Sequence, residues 1–217
     1  MKKMFLLLVP LFALPFLAAC KQEDYSRHLS DVRSDLFVAE TEEFSLAISC
    51  ITRETPYAAD GVACNTRDML EIVLKPSEKA DGTASYSAAL HGTPSVSSEL
   101  SYRSVRGDYY LSQGVTDFPE GSVTVRITKD GETQEVTAAS VKSAETLTPK
   151  EALNFAVGEE RELIGRMTSD SGFQGEFQVR LLRRNATFYY VGIIGKNESA
   201  ALLLDAETGE VLARRVR

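Results

Sequence analysis

Residues 122–139 read SVTVRITKDGETQEVTAA. Val123, Val125 and Ile127 alternate with Thr124 and Arg126, the period of a strand with one apolar face. Asp130-Gly131 supplies two residues that tolerate positive φ and Thr133–Thr137 runs back, so the stretch predicts a β-hairpin. The same grammar recurs upstream. Phe44, Leu46, Ile48 and Cys50 alternate with Ser45, Ala47 and Ser49, and Met69–Lys75 is a further strand closed by Pro76. Asp35–Glu40, Ser85–Leu90, Leu100–Val105 and Tyr109–Ser112 are shorter candidates. Turn-rich segments separate them: Glu54–Thr66 with Pro56 and Asp60-Gly61, then Asp81-Gly82, then the Ser/Pro-rich Gly92–Ser98. Short strands parted by such turns, with no amphipathic helix among them, predict a β-sandwich over residues 35–142. It is immunoglobulin-like in strand number only, because the chain has no Trp for such a core.

At Thr148 the pattern changes. Thr148-Pro149-Lys150-Glu151 is a capping box with Pro at the first helical position: the Thr oxygen takes an orphan N–H and Glu151 reaches back. Ala152, Leu153, Phe155, Ala156, Leu163 and Ile164 then form an apolar stripe at helical spacing to about Gly165. Gly158 weakens it by roughly 1 kcal/mol relative to Ala. After Asp170-Ser171-Gly172, strands are expected at 173–182, 187–194, 199–204 and 211–216. Residues 148–217 therefore predict a small α+β module, one helix followed by an antiparallel meander, in a chain that is otherwise mainly β.

That order, with Thr148-Pro149-Lys150-Glu151-Ala152 at its head and Asp205-Ala206-Glu207-Thr208-Gly209-Glu210-Val211 near its end, resembles the PepSY family of small extracytoplasmic modules. The extra apolar strand ahead of the second motif departs from a minimal unit of that family. The resemblance implies protein or peptide regulation at the cell envelope, including peptidase inhibition, and brings no catalytic residues with it.

The first residues give an address. Lys2 and Lys3 precede an apolar run, Met4–Ala19, of 16 residues interrupted by Pro10 and Pro15. A spanning helix needs about 20 apolar residues, so the run fits a secretory signal peptide over 1–19 instead. Leu17-Ala18-Ala19-Cys20 resembles the lipobox of bacterial lipoproteins. The resemblance implies cleavage between Ala19 and Cys20 and lipidation of the Cys20 thiol, with two acyl chains sufficing for stable anchoring. Residues 20–34 then read as a polar tether, and the expected location is the extracytoplasmic face of the cell membrane.

The chain has 217 residues, 43% of them apolar, and can bury a sizeable core. Its net charge of −7 argues against nucleic acid as a partner. The charge is uneven: residues 20–148 carry 12 basic and 21 acidic residues, residues 149–217 carry 10 of each. An acidic membrane-proximal half should stand off anionic lipid.

With Cys20 lipidated, Cys50 and Cys64 remain as a possible disulfide, worth roughly 3 kcal/mol for a loop of this size in the chain-entropy model. Tyr109-Tyr110 and Tyr189-Tyr190 each put one ring on either face of a strand, so one of each pair is free for recognition. Arg183-Arg184 and Arg214-Arg215, with Arg217, form a basic set suited to an anionic wall polymer or to the acidic half. Asp205, Glu207 and Glu210 lack the ligand repeat of a calcium loop, and Asp60, Asp68 and Glu71 read as solvated charges, so no metal or other cofactor is expected. His28 and His91 have no evident nucleophile partner, and no catalytic residues are assigned. The expectation is a non-catalytic binding lipoprotein engaging an envelope protein, peptide or polymer. A peptidase regulator is the alternative, and an envelope hydrolase the third reading.

Overall fold

The computed structural model describes residues 24–92 and 94–217. The expected signal peptide, the expected cleavage between Ala19 and Cys20 and the expected lipidation of Cys20 fall outside the described residues. A single 3₁₀ turn, Tyr25–His28, leads into β1 (Leu29–Glu40). There follow β2 (Phe44–Glu54), β3 (Thr66–Pro76), β4 (Tyr86–Leu90), β5 (Val96–Arg103), β6 (Asp108–Gly114), β7 (Ser122–Lys129) and β8 (Glu132–Ser140). Two helices come next, α1 (Pro149–Glu159) and α2 (Arg161–Arg166), and then the two-residue strands β9 (Thr168–Ser169) and β10 (Gly172–Phe173). The chain finishes in β11 (Gly175–Arg183), β12 (Thr187–Gly195), β13 (Ser199–Asp205) and β14 (Val211–Val216).

The first eight strands close on themselves in the order β1-β2-β3-β6-β5-β4-β7-β8, and β8 returns to β1 through Phe37↔Ser140 and Val38↔Ala139. Every pairing in this ring is antiparallel. The N-terminal part is thus a closed eight-stranded barrel, which corrects the expected immunoglobulin-like sandwich. Strand alternation is the same in both architectures. What separates them is whether the last strand pairs with the first, a long-range choice that periodicity does not carry.

Inward residues fill the barrel. Phe37, Leu46, Ile48, Cys50, Ile72, Leu74, Val125 and Ala138 are all buried in one apolar cluster. A buried Leu, Ile or Phe contributes about 1.5–3 kcal/mol, so this filling is the main stabilising term of the barrel. Outward positions are polar, as in Thr124, Arg126 and Thr128 on β7. Apolar inside and polar outside is the reverse of a barrel that crosses a membrane. Among the described residues no helix is long and apolar enough to cross one either.

β1 is long because it serves two partners. Leu29–Arg33 pairs in parallel with β11, while the later residues pair with β8. Between these halves the register against β2 jumps from Arg33↔Ile51 to Asp35↔Cys50, a bulge that bends the strand at Ser34. Residues 29–34, expected within a tether, are therefore the first half of a strand. Through them β11-β12-β13-β14 continues the barrel wall as an antiparallel extension.

The helices cover one face of this extension. Thr148 caps α1 as its sequence predicts: Glu151 N donates to Thr148 Oγ1 at 3.3 Å and Thr148 N donates to Glu151 Oε2 at 2.8 Å. The helical stripe is broken at Glu160, giving two helices where one was expected. Ala152, Leu153, Ala156, Leu163 and Ile164 pack on Phe177, Val179, Tyr189, Val191, Leu202 and Leu204 to make a second core. Tyr189 spans it and donates from its hydroxyl to Leu147 O at 2.7 Å.

Candidate functional site

The residues singled out by sequence are dispersed over the barrel, the β2–β3 loop and the two ends of the C-terminal sheet. Tyr109 points into the barrel, is 2% exposed and donates to Ala84 O at 2.9 Å; it is core and not a recognition surface. Tyr110, its neighbour on the outer wall, is half-buried. Cys50 is buried inside the barrel and Cys64 is exposed in the β2–β3 loop; both are free thiols, so the expected disulfide is not formed. Burial, with Asp35 nearby, pushes the Cys50 thiol up to about 12.

The arginines do not form one patch. Arg183 closes β11 and Arg184 follows in the turn, with Arg183 Nη1 donating to Thr187 Oγ1 at 3.0 Å. Arg214 and Arg215 lie on β14, three strands away, which is about 14 Å across the sheet. Arg214 pairs with Glu160, its Nη2 standing 3.0 Å from Oε2.

Tyr110 belongs to a charged chain that sequence reading did not find. On the barrel wall Arg103 is held by Asp108 at 2.6 and 2.8 Å and lies 4.2 Å from the Tyr110 ring centroid. Tyr110 donates to Glu71 Oε1 at 2.9 Å, and Arg53 Nη1 donates to the same oxygen at 2.9 Å. Arg53 Nε then donates to Asp31 Oδ1 at 3.0 Å, and Arg180 Nε from β11 takes the other oxygen of Asp31. Arg180 Nη2 and Gln178 Nε2 both donate to Tyr57 Oη, at 3.2 and 2.6 Å. Arg33 lies in the same field. Burial pushes its guanidinium down, with Glu71 and Asp31 opposing.

Asp31 is the hub, a carboxylate 1% exposed with an arginine on each oxygen, one from the barrel and one from the extension. Its environment follows from register: Asp31 faces Arg53 on one side and Gln178, two residues before Arg180 and on the same face of β11, on the other. The only sequence signal was the charged–apolar–charged run Asp31-Val32-Arg33, which is indistinguishable from a solvated tether until β11 is placed. Chemically, the chain is a clamp. Each acid is committed to an arginine or a tyrosine, so the network fixes the orientation of the extension rather than presenting a base or a nucleophile.

The β2–β3 loop lies against this junction. Glu54 is buried and accepts from Ala58 N at 3.0 Å and Cys64 N at 3.1 Å, which folds residues 55–65 back on their own stem. Beside it Glu176 is fully buried with neither carboxylate oxygen hydrogen-bonded. Burial pushes its carboxyl up, and Glu54 and Asp60 add to this, while the Ser30 hydroxyl and the Gly61 N–H, near it but outside hydrogen-bond geometry, oppose it weakly.

A cavity of about 550 Å³ opens at the barrel mouth, lined by Glu43, Phe44, Ile127, Lys129, Asp130 and Gln134 among others. Phe44 and Ile127 are its buried floor, and the charged groups around it are exposed.

What stays open is backbone. Among the described residues β14 pairs only with β13 and ends the sheet. Ser199 and Arg217 exchange both hydrogen bonds, at 2.9 and 3.1 Å. By antiparallel alternation, Arg217, Arg215 and Ala213 bond inward, while Arg214 and Val216 turn their N–H and C=O groups to the free edge. Leu212 and Val216 are exposed there, at 47% and 43%.

Comparison of the chain with protein-family models, with characterised proteins and with solved structures finds no match in any of the three.

Proposed function

We propose that the chain is a lipid-anchored, extracytoplasmic and non-catalytic binding module that holds a partner polypeptide along the open edge of its C-terminal sheet. The anchor rests on the leader and on Leu17-Ala18-Ala19-Cys20. The observation that carries the binding role is β14, whose unpaired backbone groups and exposed Leu212 and Val216 offer a template for strand addition. Two features support this over a small-molecule carrier. The barrel interior is filled by side chains, and the charged residues of the junction are spent on one another. The clamp at Asp31 then has a purpose, since it holds the edge at a fixed attitude to the barrel. Regulation of an envelope peptidase is the special case in which the partner is a peptidase.

The test places a photo-crosslinking amino acid at Ala213 on β14 and, as a control, at Arg126 on the barrel wall, in cells. Adducts from position 213 alone, lost when Val216 is replaced by Pro, are expected. Equal adducts from both positions, or none from either, refute the reading. Palmitate labelling with a Cys20→Ser control tests the anchor separately.

A further inference from the structure

Strand addition fixes which residues of a partner meet which residues of β14. Arg214 and Val216 lie on the helix-covered face, opposite Leu202 and Ala200, and Ala213 and Arg215 lie on the other face, opposite Leu203 and Ala201. An added strand would bond to the backbone of Arg214 and Val216 and lay its own side chains beside both rows. Arg215 and Arg217 are exposed on the open face. Arg214, on the helix-covered face, is already neutralised by Glu160. Among the described residues the edge therefore presents two uncommitted positive charges at i and i+2, with an apolar Val216 between them.

Resting on the reading of β14 as the docking edge, we infer that the partner is an extended peptide segment with acidic residues at alternate positions and apolar residues between them. Acidic side chains at i and i+2 of the added strand stand beside Arg215 and Arg217, and the intervening residue meets Val216. A second copy of the chain is the poor occupant. Two β14 strands paired antiparallel about a two-fold axis set arginine against arginine whichever residue the axis passes, Arg214↔Arg214 at 214, Arg215↔Arg215 at 215 or Arg215↔Arg217 at 216, and like charges directly opposite are destabilising.

The experiment uses the full chain in detergent and two fluorescein-labelled probes. One is an acetylated peptide Thr-Glu-Val-Glu-Val-Glu-Thr; the other has Lys in place of each Glu. Fluorescence anisotropy should give at least tenfold tighter binding of the acidic probe at low salt, falling as salt rises. Val216→Pro removes an outward N–H and no bond to β13, so it should weaken the acidic probe at least tenfold with an unchanged melting temperature. R215E/R217E should reverse the preference between the probes. Equal binding of both probes, abolished by Val216→Pro, overturns the acidic specificity while leaving the docking edge in place. A concentration-dependent dimer abolished by Val216→Pro makes a second copy the occupant and overturns the inference. Failure of both probes to bind a chain that stays monomeric removes the docking edge and the inference together, and the arginines are then guards against edge-to-edge pairing.

Discussion

Asp31→Ala is expected to loosen the joint between barrel and extension, and its magnitude can be worked from the contacts. The carboxylate is 1% exposed and its two arginines are 22% and 30% exposed. Removing one partner from a fully buried ion pair costs about 3–5 kcal/mol. Here the stranded arginines are partly solvated, Arg53 keeps Glu71, and Arg180 keeps Tyr57. The expected loss is therefore smaller, about 2–3 kcal/mol, close to one charge-assisted hydrogen bond. Urea unfolding followed by far-UV circular dichroism measures it, and a double-mutant cycle with Arg180→Ala isolates the cross-joint pair. A coupling of about 1.5 kcal/mol is expected, since the two side chains touch. Native-state hydrogen exchange should show the Val32 and Val179 amides losing protection before those of the barrel ring. A destabilisation below about 1 kcal/mol, or additivity within about 0.5 kcal/mol in the cycle, would refute the clamp.

Three further outcomes are expected. Gly209→Ala should destabilise by about 1–2 kcal/mol from its φ of +74° alone, with an added clash because a Cβ there stands 2.6 Å from the Phe155 ring; pairing it with Phe155→Ala should recover only the clash, as thermal melts would show. Ellman's reagent on a Cys20→Ser chain should titrate one thiol in the native state, exposed Cys64, and a second, Cys50, only after denaturation; two native thiols or none would contradict the burial and free state of these residues. Glu176→Gln should change the pH dependence of stability. A carboxyl raised in the folded state contributes its stability below the unfolded carboxylate range and loses it as pH rises through the folded value, so the wild-type chain should weaken over that rise and the variant should not. Parallel stability–pH curves for the two proteins would exclude the effect.

Much of the secondary structure was legible because it is local. The Asp130-Gly131 hairpin, the Thr148 cap and the strands of the C-terminal meander depend on residues within a few positions of one another, and they form near where their spacing put them. Val96–Ser98, read as loop for its Ser and Pro content, is the start of β5, because pairing with Tyr86–Leu90 overrides weak propensity. The functional residues were less legible. Tyr110 could be picked as one ring of a pair, but its glutamate and arginine partners lie 39 and 7 positions away in sequence. Arg183-Arg184 and Arg214-Arg215 looked alike as dipeptides, yet only the second pair lies on a free edge.

By itself the sequence determined that the body alternates as strands and that a capped helix opens at Pro149. Only the tertiary structure decided that those strands close into a barrel, that residues 29–34 are shared between the barrel and the extension, and that β14 has no outer neighbour among the described residues. The physical reason is one of range. Periodicity and capping are set by neighbours along the chain, whereas closure, register and edges are set by which apolar faces and backbone groups find one another across more than a hundred residues, and those choices leave no local mark on the strands that make them.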